Sequence, residues 1–313
     1  MSECLKKLLL QRLFLRLRQE CLRFLQGLYL LGYAIPSLWF SGVITWPLSI
    51  ARGYESFLLL MRGACVKLAI SRESTLQKEY RHYQQLKNLQ PRLGCFLPSY
   101  QAIRLPCLFA LKCERLFSIA PDEALPFALA IQKALATAST ERCRLLLEDC
   151  PQIEVGVRYL EKQFGLEKAM AVQQFAAAFL ACGQYEVGLA HGDFHSRNIM
   201  KDAAGGARMI DLDCVRFRSV RAFDALYFAL EQKWSTCGQL WTATLADCLA
   251  GKEGDVRKCL EAFGIAWSDE LGAAFFLDRL GQDVMNYQTH YPTADLTPIV
   301  ERLWAIHIEG GSS

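Results

Sequence analysis

Residues 191–213 constrain the fold of this chain more than any other stretch. They read His191-Gly192-Asp193-Phe194-His195-Ser196-Arg197-Asn198, then two short apolar runs around a polar one, and end on Asp211-Leu212-Asp213. Ile199-Met200 and Met209-Ile210 flank Lys201-Asp202-Ala203-Ala204-Gly205-Gly206, the pattern of two strands joined by a hairpin turn. The segment is therefore loop, strand, turn, strand, loop, with its polar groups at the two outer ends. A hairpin returns its outer ends to each other, so Asp193, Asn198 and Asp211 are expected around one small volume.

The chemistry of those three residues is specific. Asp193 and Asn198 are five residues apart, and Asp211 lies thirteen beyond Asn198. An ionised Asp only accepts hydrogen bonds, so Asp193 can take or orient a hydroxyl proton. Asn198 offers a neutral carbonyl oxygen and Asp211 a charged one. Both suit a hard cation such as Mg2+, which prefers oxygen ligands and keeps waters and phosphate oxygens in its shell. A base beside two such ligands is the set that phosphoryl transfer from a nucleotide requires.

This block resembles the catalytic segment of the protein-kinase-like phosphotransferases, in particular the aminoglycoside phosphotransferase and choline kinase branch. There the text runs His-Gly-Asp-x-His-x-x-Asn, then Ile-Asp-x-Asp or Ile-Asp-x-Glu. Protein kinases place an Arg between the His and Asp and a Lys two residues after the Asp. Here Gly192 and His195 hold those positions, which favours the small-molecule branch. The resemblance implies an α+β, two-lobed protein-kinase-like fold, with a small antiparallel-sheet N-lobe carrying one helix and a larger, mainly helical C-lobe. It implies an ATP-dependent phosphotransferase that uses ATP and Mg2+ and moves the γ-phosphate to a hydroxyl of a small molecule or glycan. It makes Asp193 the catalytic base, sets His195 near the transferred phosphate, and gives Asn198 and Asp211 to the metal. Asp213 assists either the metal or only the loop. The competing reading is a strand–turn–strand hairpin with solvated loop acids.

A site of this kind also needs an upstream lobe, which is an independent requirement: a Gly-containing hairpin over the phosphates, a strand Lys, and a helix Glu to hold that Lys. Ile50 to Met61 reads as strand, tight turn, strand, and Arg62-Gly63 is a second hairpin signal. Ala64-Cys65-Val66-Lys67-Leu68-Ala69 reads as a buried strand with one charge, and a Lys in such a run needs a partner or a ligand. Glu79 follows twelve residues later, in a stretch that puts Leu76, Tyr80, Tyr83 and Leu86 or Leu89 on one helical face. Lys67 and Glu79 resemble the strand Lys and helix Glu of kinases; the alternative is an edge-strand Lys reaching solvent and a surface Glu. Gly53 and Ser56 are the residues of the first turn expected to cover the phosphates. That turn lacks a full G-x-G-x-x-G, as the small-molecule branch commonly does.

Ser99 to Leu105 and Leu108 to Cys113 read as two strands with Pro106 at the turn between them. Glu114-Arg115-Leu116 then leaves for the second lobe, and the hinge backbone is expected to receive the adenine edge. Leu125–Thr137, Val155–Phe164, Met170–Cys182, Phe223–Trp234, Leu240–Ala250, Val256–Phe263 and Glu270–Asn286 carry apolar residues at helical spacing. Asp224 heads one of these helices. The resemblance makes it a brace for the catalytic loop; a helix N-cap is the ordinary role of an Asp there.

Composition fits a folded enzyme. At 313 residues, 52% hydrophobic and 21% charged, the chain has enough apolar material for a core and is not expected to be disordered. The organisation expected is a basic amphipathic segment at 1–42, an N-lobe at 43–114 and a helical C-lobe at 115–313. Thirteen scattered Cys without a C-x-x-C fit reduced thiols in a cytoplasmic protein better than a disulfide framework or a zinc site. A net charge of +3 is too small to argue for nucleic acid as a partner.

The N-terminus is a separate matter. Residues 1–23 carry Lys6, Lys7, Arg12, Arg16, Arg18 and Arg23 against Glu3 and Glu20, with Leu9, Leu13, Leu17, Cys21 and Phe24 at helical spacing. A basic amphipathic helix of this kind suits peripheral contact with an anionic membrane, here at the inner membrane face. Packing of its Leu face on the small lobe is the other reading. Phe24 to Ala51 contains no charged residue, and its length would permit a membrane span. Gly27, Gly32, Pro36, Gly42 and Pro47 interrupt it, and its end is also the expected first strand. A cleaved signal peptide is not expected, because the basic stretch is long and no small-residue cleavage site follows it.

The acceptor is the least constrained element. From Phe217 onward the chain carries 13 acidic and 8 basic residues, which would suit a cationic acceptor. Against this, Asp213-Cys214-Val215-Arg216-Phe217-Arg218 and the basic N-terminus resemble bacterial kinases of lipopolysaccharide core sugars, which act on an anionic glycolipid. In that reading Arg216, Arg218 and Arg221 would serve the acceptor. A catalytically silent kinase-like binding protein is a third reading. It is disfavoured because Lys67, Glu79, Asp193, Asn198 and Asp211 are all present.

Overall fold

The computed structural model describes residues 30–40, 49–52, 57–69, 75–89, 91–105, 108–138, 140–287 and 295–311. They form two compact units. One holds the described residues up to Arg81 together with Ser99–Leu116; the other holds His82–Pro98 and the described residues from Phe117 onward.

The smaller unit is built on five antiparallel strands: β1 (Ser49–Arg52), β2 (Phe57–Leu60), β3 (Ala64–Ala69), β4 (Gln101–Leu105) and β5 (Leu108–Glu114). Their order in the sheet is β1-β2-β3-β5-β4. Side chains alternate between the faces of a strand, and the sequence uses both. Phe57, Leu59, Val66, Leu68 and Ala110 share one buried cluster with Ala34, Ile35 and Leu38, the last two from the short helix α1 (Ile35–Phe40). Ala69, Phe109 and Leu111 pack with Leu76 of helix α2 (Thr75–Leu89). Full burial of a Val or Leu contributes about 1.5–3 kcal/mol, so this two-sided pattern fixes the register of β3. Lys67 stands opposite Leu111 in the ladder and so faces the α2 side.

Part of the charge-free stretch is therefore core: Ala34, Ile35 and Leu38 are buried, and residues 49–51 are strand. Among the described residues no helix is long and apolar enough to cross a membrane. The basic segment 1–23 and the turn containing Gly53 and Ser56 lie outside the described residues.

In the larger unit the helices are α3 (Ala124–Ala138), α4 (Pro151–Phe164), α5 (Leu166–Cys182), α6 (Ala222–Cys237), α7 (Trp241–Leu249), α8 (Gly254–Ala262), α9 (Asp269–Tyr287) and α10 (Thr297–Gly311). Seven of them match the seven stretches read as helical to within a few residues at the ends; α10 is additional. Two small antiparallel sheets accompany them. One runs β10 (Ala207–Met209), β9 (Ile199–Lys201), β6 (Phe117–Ser118). The other runs β11 (Arg216–Val220), β8 (Glu186–Ala190), β7 (Thr140–Arg142). The β9–β10 hairpin pairs Ile199 with Met209 and Lys201 with Ala207, as its sequence requires.

Helices α4 and α9 meet through glycine. A Cβ at Gly156 would overlap the carbonyl of Leu277, and one at Gly281 would overlap the carbonyl of Gln152. This close approach fixes α9, which is apolar over Ala273–Leu277 but then carries Asp278, Arg279, Gln282 and Asp283. Asp278, Gln282 and Asp283 are all buried.

Candidate active site

Strand β8 ends at Ala190 and delivers His191 into a loop held by backbone hydrogen bonds. The N–H groups of His191 and Gly192 donate to the two carboxylate oxygens of Asp224, at 2.6 and 2.9 Å. Gln132 donates to the same carboxylate at 3.2 Å. Asp224 sits in the first turn of α6, whose N-cap residue is Arg221. Its side chain thus braces the loop and does not cap the helix. Gly192 has φ +78°, and a Cβ there would overlap the carbonyl of Cys214, so this position admits only glycine without displacing the backbone. The His191 ring is buried, with Nε2 2.9 Å from the Ile210 carbonyl and the Asp193 N–H 3.4 Å from Nδ1. In that pattern Nδ1 accepts from the loop backbone and Nε2 faces a backbone acceptor.

The loop brings Asp193, His195 and Asn198 together. Asn198 Nδ2 donates to the Asp193 carbonyl at 2.9 Å and to Asp193 Oδ2 at 3.1 Å. Both partners are acceptors, which settles the orientation of the amide. Its two hydrogens are used inside the loop, and its carbonyl oxygen is the group it can offer a cation. His195 Nε2 lies 3.5 Å from Asp193 Oδ2, while its Nδ1 is buried without a hydrogen-bond partner. Phe194 is fully buried and anchors the loop between His191 and Phe228.

The N–H of Ile210 donates to the carbonyl of Asn198 at 3.0 Å, so Asp211 follows directly from a residue tied to Asn198. Asp211 is the one non-glycine with positive φ among the described residues, at φ 56°, ψ 56°. Strain of this kind collects at functional positions. Asp213 lies in the short 3-10 turn Leu212–Cys214, half-buried. His82, in the same unit, places Nδ1 2.7 Å from the Leu212 carbonyl. Among the described residues no three His, Cys, Asp or Glu side chains cluster as a metal site. A cation here would be held by Asn198 together with aspartate, with phosphate and water completing its shell.

Sequence reasoning did not reach Arg279. Its Nη1 lies 2.8 Å from Asp193 Oδ1, its guanidinium sits 4.0 Å from the centre of the Tyr227 ring, and its Nε is 3.2 Å from Asp283 Oδ1. Gln282, one turn along α9, donates to the Gly192 carbonyl at 2.8 Å and accepts from Arg216. Burial pushes the Asp193 carboxyl up, but the Arg279 charge and the His195 contact pull it down further. The net holds Asp193 well below the usual carboxylate range. The available signal was α9 itself, where four polar residues at 278, 279, 282 and 283 interrupt an apolar helix on one face.

In the smaller unit Lys67 Nζ is 2.9 Å from Glu79 Oε2, and Glu79 is 1% exposed. The Tyr100 hydroxyl donates to the other Glu79 oxygen at 2.7 Å. Glu79 is thus a buried, doubly bonded anchor and not a surface residue.

The three arginines considered for an anionic acceptor are engaged elsewhere. Arg216 pairs with Asp278 at 2.6 Å, Arg218 with Glu141 at 3.4 Å and Asp149 at 3.5 Å, and Arg221 with Glu186.

No protein-family model matches the chain, and no curated protein sequence matches it. Solved structures do. Choline kinase LicA from Streptococcus pneumoniae matches at TM-score 0.55 and 13% identity, over 88% of this chain and 98% of that one. A thermostable mutant of aminoglycoside phosphotransferase APH(4)-Ia in its apo form matches at 0.52 and 16%, over 88% and 98%. A further variant of that phosphotransferase, in ternary complex with AMP-PNP and hygromycin B, matches at 0.51 and 15%, over 88% and 97%. At these identities the shared property is the fold. The chain has the protein-kinase-like fold seen in aminoglycoside phosphotransferases and choline kinases.

Proposed function

We propose that this chain is an ATP-dependent phosphotransferase that moves the γ-phosphate of a nucleotide to a hydroxyl of a small molecule. The observation that carries the reading is the Asp193–Asn198 unit. In it one carboxylate is held ionised, and the adjacent amide spends both hydrogens internally, which leaves its oxygen for a cation. The fold supports it, since neighbours of that fold are phosphotransferases and kinases, one of them bound to AMP-PNP with hygromycin B.

Asp193 is assigned to the acceptor hydroxyl, which it orients and whose proton it accepts as the bond to phosphorus forms. A carboxylate held so firmly ionised is a weak proton acceptor, and a loose transition state asks little of the base until late in the transfer. Its main work is orientation. Asn198 and Asp211 are assigned to Mg2+, with Asp213 supporting the loop or the metal; their oxygens are the donor type that ion takes. Held by those residues, Mg2+ would supply positive charge against the phosphates. Lys67, held by Glu79, is assigned to the phosphates, and Gly53 and Ser56 to the turn that covers them. His195 supports Asp193 at 3.5 Å. The acceptor is read as a small alcohol and not an anionic glycolipid, because Arg216 and Arg221 are largely buried in pairs with Asp278 and Glu186, which leaves only Arg218 exposed.

Calorimetric titration of AMP-PNP at increasing Mg2+ tests the assignment. Asp211→Asn should raise the Mg2+ concentration needed for half-maximal nucleotide binding by about tenfold or more. An unaltered magnesium dependence would remove Asp211 from the metal and weaken the whole reading.

A further inference from the structure

We infer that Arg279 is a positioning residue for phosphate transfer, fixing the Asp193 carboxylate in one orientation; the inference rests on the phosphotransferase reading above. Asp193 is held at both oxygens. Oδ1 accepts from Arg279 Nη1 at 2.8 Å, and Oδ2 accepts from Asn198 at 3.1 Å with His195 beyond it at 3.5 Å. The loop contacts alone reach only Oδ2. Without Arg279 the carboxylate is free to turn about its terminal torsion, which is broad for Asp.

Arg279 can act in this way because it is itself immobile. It stacks 4.0 Å over Tyr227, pairs with Asp283, and reaches the Gly192 carbonyl at 3.4 Å. Tyr227 also meets the His195 ring edge-on at 5.8 Å, so one aromatic ring backs two of the three partners of the Asp193 carboxylate. The glycine contact between α4 and α9 holds the helix beneath. A guanidinium offers a plane for stacking and several fixed donors, which a lysine ammonium lacks. Asp283 lies on α9 itself, so of these two contacts only the one with Tyr227 ties Arg279 to another element. The Nη1 donor is directed at the residue assigned to the acceptor hydroxyl. The same positive charge offsets that of Asp193, which would otherwise repel an incoming triphosphate.

The test compares Arg279→Gln and Arg279→Lys with the wild type in steady-state transfer, with and without millimolar guanidinium ion, and with thermal melting to confirm folding. Misplacing a catalytic group by an ångström costs about a hundredfold, so Arg279→Gln should lose about that in kcat. KM for ATP should stay within about twofold, and added guanidinium should restore part of kcat. Arg279→Lys keeps the charge but not the plane, and it should fall between the two. Wild-type kcat in either folded variant overturns the inference, as does a loss that appears in KM for ATP and ignores guanidinium. If Arg279→Gln does not fold, the Lys variant decides by the same kcat and KM criteria. A wild-type protein with no transfer at all would sink the phosphotransferase reading itself. The Arg279 inference is then settled by crystal structures of wild type and Arg279→Gln: loss of a single Asp193 carboxylate orientation in the variant supports it, and an unchanged orientation overturns it.

Discussion

Asp193→Ala is expected to lower phosphate transfer by about a thousandfold or more, near the upper range for loss of a positioned acid–base group. The substitution removes the carboxylate that the proposed function assigns to the acceptor hydroxyl. It also takes an acceptor from Asn198 and an ion-pair partner from Arg279. Breaking a buried ion pair from one side costs about 3–5 kcal/mol when nothing else compensates. Here Asp283 remains beside Arg279, so a smaller loss of stability is expected and the variant should still fold. Asp193→Asn keeps an oxygen that can accept from Arg279, but it turns an NH2 group toward the Asn198 donor and loses the charge pairing. It should fold, melt below the wild-type temperature and remain inactive. Circular dichroism melts and turnover on the same samples check this. Unchanged turnover in a folded Asp193→Ala protein would contradict the role of Asp193.

The second large effect is on stability. Gly281→Ala gains about 1 kcal/mol of helix propensity in α9. Against that, the new Cβ overlaps the Gln152 carbonyl and comes within 3.0 Å of the Gly156 nitrogen. Both are backbone atoms of α4, so no side chain can turn aside and the helices must separate. Overpacking a close contact costs about 1–3 kcal/mol and sometimes more. With the cost at the upper end of that range, because only backbone atoms meet the Cβ, the net loss is about 2 kcal/mol and lowers the melting temperature of a unit this size by roughly 4–8 °C. Because Arg279 is two residues away, activity should fall as well. Gly254→Ala is the control, since a Cβ there meets nothing within 4 Å. Equal melting temperatures for the two variants would mean that α4 and α9 are not held together by this contact.

What the sequence revealed follows from the range of the interactions involved. The β9–β10 hairpin and the Asp193–Asn198 unit are local, with partners five residues apart, so spacing alone was enough. Lys67 and Glu79 are twelve residues apart, and both lie on elements with clear periodicity. Arg279 contacts Asp193 across 86 residues, and Gln282 contacts Gly192 across 90; no local pattern links them. Asp224 had two readings, and only the direction of its carboxylate separates them. Strands β6, β7, β8 and β11 are two to five residues long, too short for alternation to stand out. The arginines near residue 216 looked available for an acceptor because charge in a sequence carries no record of its partners. Each meets a carboxylate from a distant element.

The central claim is transfer of phosphate from ATP to a hydroxyl. The direct measurement incubates the wild-type protein with γ-labelled ATP and Mg2+ against a panel of small alcohols, aminoglycosides, sugars, core glycolipids and proteins. The account predicts label on a small-molecule hydroxyl, dependent on Mg2+ and absent with Asp193→Ala. Label on none of these acceptors, from a folded protein that also fails to bind AMP-PNP, would contradict it.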